Sequence, residues 1–138
     1  EDVLLKPEHP YTKKLLAAVP HLGSGGRIIT IGSVNADRVP VPGISIYSTT
    51  KAAVAGLTRG LARELGPRGI TVNNVQPGPI DTDMNPDEGD FAESLKEIVA
   101  LGRYGRTADV AAIVSFLAGP EAAYVTGANL NVDGGFTI

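Results

Sequence analysis

The chain has 138 residues, 43% of them hydrophobic and 20% charged, with a formal charge of −3 and no cysteine. That is the size of one domain with one core, and too apolar for a disordered chain. The weakly acidic balance without a basic cluster argues against nucleic acid or an anionic membrane as partner; the lack of cysteine excludes disulfides and thiolate metal sites; and no apolar run approaches the ~18 residues of a membrane span.

The acidic first residues are unlike a signal peptide, so a cytoplasmic α/β domain is expected, with no metal site. Residues 1–10 are polar, and Pro7 and Pro10 limit helix there. Leu15, Leu16 and Val19 have helical spacing over residues 12–19, before Pro20 and the linker-like run Gly23-Ser24-Gly25-Gly26. Residues 28–31 form a short β-branched run that reads as a buried parallel strand. The longest helical pattern covers 47–65, with Val54, Leu57, Leu61 and Leu65 as its apolar stripe, and Gly66, Pro67 and Gly69 stop it.

A second strand is expected over 70–75, closed by Gln76-Pro77-Gly78-Pro79. Asp90 is a candidate N-cap for a helix carrying Phe91, Leu95, Ile98 and Val99, and Thr107 for one carrying Val110, Ile113, Val114 and Leu117. A third strand over 129–132 ends in Asp133-Gly134-Gly135. This alternation predicts a parallel sheet with right-handed crossovers. His9 and His21 are isolated and read as exposed polar residues.

The chemistry concentrates in residues 27–51. Tyr47 and Lys51 stand four apart and share one face in the first turns of a helix. A free tyrosine, with a pKa of about 10, is a poor acid–base group near neutrality. A neighbouring ammonium and the positive helix N-terminus both favour a phenolate that can exchange a proton with a carbonyl or alcohol oxygen. Ser33, at the carboxyl end of a strand where open α/β sheets bind ligands, could hold that same oxygen. Taken alone, a Tyr-x-x-x-Lys pair is more often the pattern of a solvated helix face, and Pro77-Gly78-Pro79 that of an ordinary loop.

Five motifs in order carry a resemblance: Gly32-Ser33, Tyr47-Ser48-Thr49-Thr50-Lys51-Ala52-Ala53, Val72-Asn73-Asn74-Val75, Pro77-Gly78-Pro79-Ile80-Asp81-Thr82 and Val132-Asp133-Gly134-Gly135. Over residues 27–138, roughly four-fifths of the chain, they resemble the short-chain dehydrogenase/reductase family, in its 3-oxoacyl-carrier-protein-reductase-like branch. The resemblance implies an NAD(P)-dependent oxidoreductase moving a hydride between cofactor and a small carbonyl or alcohol. The implied fold is the C-terminal part of a Rossmann-like, doubly wound parallel sheet, about three strands with flanking helices. It also implies roles: Ser33 positions the substrate oxygen, Tyr47 is the acid/base, and Lys51 favours its phenolate and bonds the nicotinamide ribose. Pro77 and Gly78 would cover the nicotinamide, the Ile80 backbone would hold its carboxamide, and Thr82 would approach the pyrophosphate. The loop 35–46 and the region 84–102 would shape the substrate pocket.

Other parts of the family pattern are absent from these residues. There is no Gly-rich loop joining a strand to a helix for pyrophosphate, no charged residue choosing NAD or NADP, and no asparagine on residues 11–19. Residues 7–20 resemble instead the tail of oligopeptide-type ABC transporter ATPases, without a Walker A motif. Residues 1–26 are therefore expected to be a foreign or divergent segment, with a seam near 16–26, ahead of a catalytic half-domain over 27–138. Weak or no turnover by this chain alone follows as an expectation. A non-enzymatic chimeric or structural domain with an idle site is the alternative, and complementation by a separate fragment is a third possibility. A strand at 28–31 lacking an earlier neighbour, together with small residues Ala53, Gly56 and Gly60 on the long helix, predicts a homo-oligomer formed through helix 47–65 or edge strand 28–31.

Overall fold

A computed structural model describes residues 25–138. The helix expected over 12–19, both histidines and the first half of the linker lie outside the described residues. Three parallel strands, β1 (Arg27–Ile31), β2 (Thr71–Pro77) and β3 (Asn129–Val132), form a sheet in the order β1-β2-β3. Ile28 aligns with Val72, and Val75 with Leu130. Around the sheet lie helices α1 (Ser45–Leu65), α2 (Asp90–Ile98) and α3 (Thr107–Ala118). The fold is thus a three-stranded parallel α/β unit, and β1 has no strand on its outer edge among the described residues. No helix among them is long and apolar enough to cross a membrane.

Alternation along the strands places the helices. Ile28 and Val72 point to one face, where Ala62, Leu61 and Leu65 of α1 cover them. Ile29, Val75, Leu130 and Val132 point to the other, against Val110, Ile113, Val114 and Leu117 of α3. Both crossovers step in the same direction across the sheet, so two crossovers whose helices lie on opposite faces cannot both be right-handed. The expected right-handedness therefore holds for at most one of them. The connection over residues 78–106 runs over the carboxyl edge of the sheet, where Ala92, Leu95, Val99 and Tyr104 form a third cluster with Val34 and Phe136.

Three local expectations are corrected. The side of α1 that turns inward carries Ser48, Ala55, Thr58 and Ala62, while Leu57 of the expected stripe is 56% exposed. Small residues there let the helix approach the sheet, and Thr58 satisfies its hydroxyl by donating to Val54 O at 2.9 Å. Gly89, at φ 87°, takes the cap position before α2, and Asp90 is the first helical residue. Arg106 precedes α3 in place of Thr107, its N–H donating to the Asp109 carboxylate at 2.8 Å.

The centre of β2 is polar yet buried. Asn74 and Gln76 are fully enclosed, which an isolated amide could not tolerate. Their register solves the problem, because Thr30, Asn74, Gln76, Asn129 and Asn131 share one face. Thr30 Oγ1 donates to Asn74 Oδ1 (3.0 Å), and Asn74 Nδ2 donates to Gln76 Oε1 (3.1 Å) and Asn129 Oδ1 (2.9 Å). Gln76 Nε2 donates onward to Asn131 Oδ1 (2.9 Å) and to Asp37 Oδ2 (2.6 Å). A ladder of side-chain amides thus ties all three strands to the turn that follows β1.

Candidate active site

The carboxyl end of β1 passes through Gly32 into a 3-10 turn, Val34–Ala36. Gly32 is held by its N–H to Val75 O at 2.7 Å, and a Cβ on it would lie 2.7 Å from Asn74 Oδ1. The glycine is needed because the buried Asn74 amide fills that space. Ser33 caps the turn, its Oγ accepting the Asn35 N–H at 3.1 Å, and is 7% exposed. That bond uses an acceptor lone pair and leaves the hydroxyl proton free to reach a ligand oxygen.

Tyr47 lies in the first turn of α1 and is 45% exposed. Lys51, one turn later, donates from Nζ to Ile31 O at 3.3 Å, and its Nζ lies 5.5 Å from the centroid of the Tyr47 ring. The lysine therefore links the helix to the end of β1, two residues before Ser33, and sets a positive charge beside the phenol.

A cavity of about 390 Å³ opens on this edge of the sheet, with Ser33, Tyr47, Pro77 and Gly78 all in its lining. The loop expected to shape a pocket contributes Asn35, Pro40, Val41 and Ile44, and the later region contributes Asn85, Phe91 and Leu95. Lys51, Ile80 and Thr82 are not in the lining.

Gly78 has an unforeseen reason to be glycine. Its N–H donates to Val132 O at 3.0 Å, and a Cβ would sit 2.7 Å from that of Asp133. Asp133 cannot yield easily, because its carboxylate accepts from Gly135 N, Thr137 N and Thr137 Oγ1. Ile80 forms a parallel bridge with Gly105, made by Asp81 N–H to Gly105 O and Gly105 N–H to Pro79 O. Such a bridge turns the Ile80 N–H and C=O to the opposite side, where they are unpaired among the described residues. Thr82 is engaged in a turn with Asn85, its Oγ1 accepting the Asn85 N–H at 3.3 Å.

The wall from Asn85 to Leu95 is braced from outside the cavity. Lys96 pairs with Asp87 and, at 2.9 Å, with Glu93. Hydrogen bonds to those two carboxylates hold its ammonium well above the usual lysine range. Tyr104 donates to Asn85 Oδ1 at 3.4 Å, and burial pushes its phenol above the ordinary value. On the far side Arg38 donates to Phe136 O, with its guanidinium carbon 5.2 Å from the ring centroid.

Sequence reasoning singled out neither Val34, Phe136 nor the amide ladder behind Gly32. The run Asn73-Asn74-Val75-Gln76 was the available signal, since polar amides inside a strand flanked by two helices require internal partners.

The family model described as enoyl-(acyl carrier protein) reductase matches residues 12–137. The chain belongs to the short-chain dehydrogenase/reductase family. It is 52% identical over 127 residues to a cyclic-di-GMP-binding biofilm dispersal mediator protein of Escherichia coli, covering 92% of this chain and 53% of that protein. It is 48% identical to a 3-oxoacyl-[acyl-carrier-protein] reductase of Synechocystis, over 82% of this chain and 45% of the relative. Among solved structures, a short-chain dehydrogenase from Burkholderia cenocepacia in complex with NADP superposes with a TM-score of 0.84 at 50% identity, covering 92% of this chain and 51% of that one. The chain spans about half the length of these relatives. The family match begins within the segment that the sequence reading set apart as foreign, and nothing in these comparisons relates residues 7–20 to a transporter ATPase.

Proposed function

We propose that this chain carries the carbonyl side of an NAD(P)-dependent oxidoreductase site. The supporting observation is the single cavity lined by Ser33, Tyr47 and the Pro77-Gly78-Pro79 backbone, with the Lys51 ammonium beside the Tyr47 ring. Ser33 Oγ donates to the substrate oxygen and Tyr47 passes it a proton in the direction of reduction. Lys51 stabilises the negative charge this leaves on the phenol. A bound nicotinamide supplies or accepts the hydride. The residues present suit the nicotinamide end of such a cofactor. Pro77 and Gly78 bring backbone to the cavity, Ile80 has an unpaired N–H and C=O for a carboxamide, Lys51 has further N–H donors for the ribose, and Thr82 has a hydroxyl for the pyrophosphate.

Among the described residues no Gly-rich turn joins a strand to a helix for the pyrophosphate, and we propose negligible turnover by this chain by itself. Calorimetric titration with NADH and NADPH tests this: micromolar affinity would overturn it, and any catalysis found should lose most of its rate in Tyr47→Phe. A non-enzymatic role of the same fold is the second reading, under which Tyr47→Phe changes nothing. An interaction with cyclic-di-GMP, suggested by the name of the Escherichia coli relative, finds no cationic side chain in the cavity lining.

Self-association through α1 or the outer edge of β1 belongs to the same proposal. Leu57 is exposed on α1, and a Cβ at Gly56 or Gly60 would meet nothing within 4 Å, leaving room for a second helix. A monomer by light scattering at micromolar concentration would refute it. A cysteine-free chain of this kind suits the cytoplasm.

A further inference from the structure

We infer that the cavity selects an uncharged carbonyl compound with a compact apolar body, and that Phe91 is the side chain that decides this. The inference rests on the reading of Ser33 and Tyr47 as the end that holds the carbonyl.

No Asp, Glu, Lys or Arg side chain lines the cavity; beyond Ser33 and Tyr47 its polar side chains are the amides of Asn35 and Asn85. A charged group that enters such a lining meets no counter-ion there, which disfavours it relative to an uncharged one. Two cations pack against lining side chains without entering the cavity. Lys51 donates to Ile31 O at the proton-transfer end, and Arg38 packs behind Phe136, donating to the carbonyls of Phe136 and Ile138.

The rest of the lining is apolar, and its members differ in how much surface they can still bury. Leu95 (7% exposed) and Phe136 (2%) are already core, whereas Phe91, on the same helix as Leu95, is 58% exposed. An aromatic ring that borders a cavity while half open to water gains most when a ligand covers it. The volume, about 390 Å³, lies near the lower end of the roughly 300–1,000 Å³ usual for small-molecule sites, which limits the ligand to a compact one.

The test compares 2-octanone with 7-oxooctanoate, which share chain length and carbonyl position and differ in a terminal carboxylate. Each is titrated into the ¹⁵N-labelled chain while the amide signals are followed. The ketone should shift Ser33, Tyr47 and Phe91 and bind at least about tenfold more tightly than the carboxylate. Phe91→Lys, at an exposed position compatible with folding, should narrow or reverse that ratio, and Phe91→Leu should keep it. Equal or tighter binding of 7-oxooctanoate to the unaltered chain would overturn the inference while leaving the reading of the site intact. Binding that leaves Ser33 and Tyr47 unshifted would overturn the reading of the site and the inference with it. Absence of binding by either compound would overturn the inference.

Discussion

Replacing Asn74 by alanine strikes the point where strand pairing, Gly32 and the buried polar ladder meet. Asn74 is fully buried and makes three side-chain hydrogen bonds, to Thr30, Gln76 and Asn129. In Asn74→Ala the Gln76 Oε1 loses its donor inside the protein, a desolvation cost of about 1–3 kcal/mol. Asn129 is only half-buried, so water can replace its bond, and that loss is nearer to about 1 kcal/mol. Thr30 retains contacts with Thr58 Oγ1 at 3.2 Å and Asn73 O at 3.4 Å and adds little. The sum is about 2–4 kcal/mol, a large part of the roughly 5–15 kcal/mol that holds an ordinary domain folded. Urea unfolding followed by circular dichroism should show a lower midpoint with an unchanged slope. The double variant with Gln76→Ala should lose less than the sum of the single losses, by about 1 kcal/mol, because the two amides share a bond. A single-variant loss below about 0.5 kcal/mol, or strict additivity, would refute the ladder as an energetic unit.

Gly78→Ala places a methyl against the Asp133 backbone and should cost about 1–3 kcal/mol by overpacking, read in the same urea experiment. Asp109→Ala tests the start of α3. The Arg106 N–H and then the Arg103 guanidinium hold the Asp109 carboxyl below its ordinary value. The stabilisation is therefore present above the unfolded value of about 3.9 and lost as pH falls through the lowered folded one. Thermal midpoints of the two proteins should differ at pH 7 and converge below about pH 4; a constant difference across that range would refute the assignment. Leu57→Glu, at an exposed position of α1, should shift any oligomer towards monomer in light scattering without altering helix content.

Much of the architecture can be read in the chain because it rests on local pattern. β3 occupies the residues where a short run alternating amide and aliphatic side chains ends at Asp133-Gly134-Gly135, and α1 stops at the expected glycines. What escaped depends on contacts distant in sequence. Of the expected stripe on α1, Leu61 and Leu65 pack against the sheet, whereas Leu57 fits the helical period and stays exposed because close approach to the sheet selects Ala55, Thr58 and Ala62. The side on which α3 packs could not be read from crossover rules, since those rules expect it on the face that α1 covers, and it packs on the other. At the site, Ser33, Tyr47, Pro77 and Gly78 were named from the sequence, and the structure brings them to one cavity. Phe136 was invisible because 100 or so residues separate it from the 3-10 turn it packs against, and only the folded sheet brings them together. The requirement for glycine at 32 and 78 is likewise tertiary, set by Asn74 and Asp133 and by no local backbone angle.

Nicotinamide mononucleotide, which carries the nicotinamide and its ribose without adenine, tests the central claim most directly. Titrated to millimolar concentration into the ¹⁵N-labelled chain, it should shift the amide signals of Tyr47, Lys51, Gly78 and Ile80, and adenosine monophosphate at the same concentration should leave them unmoved. Equal shifts from both nucleotides, or shifts confined to residues away from this edge of the sheet, would contradict the assignment of the site.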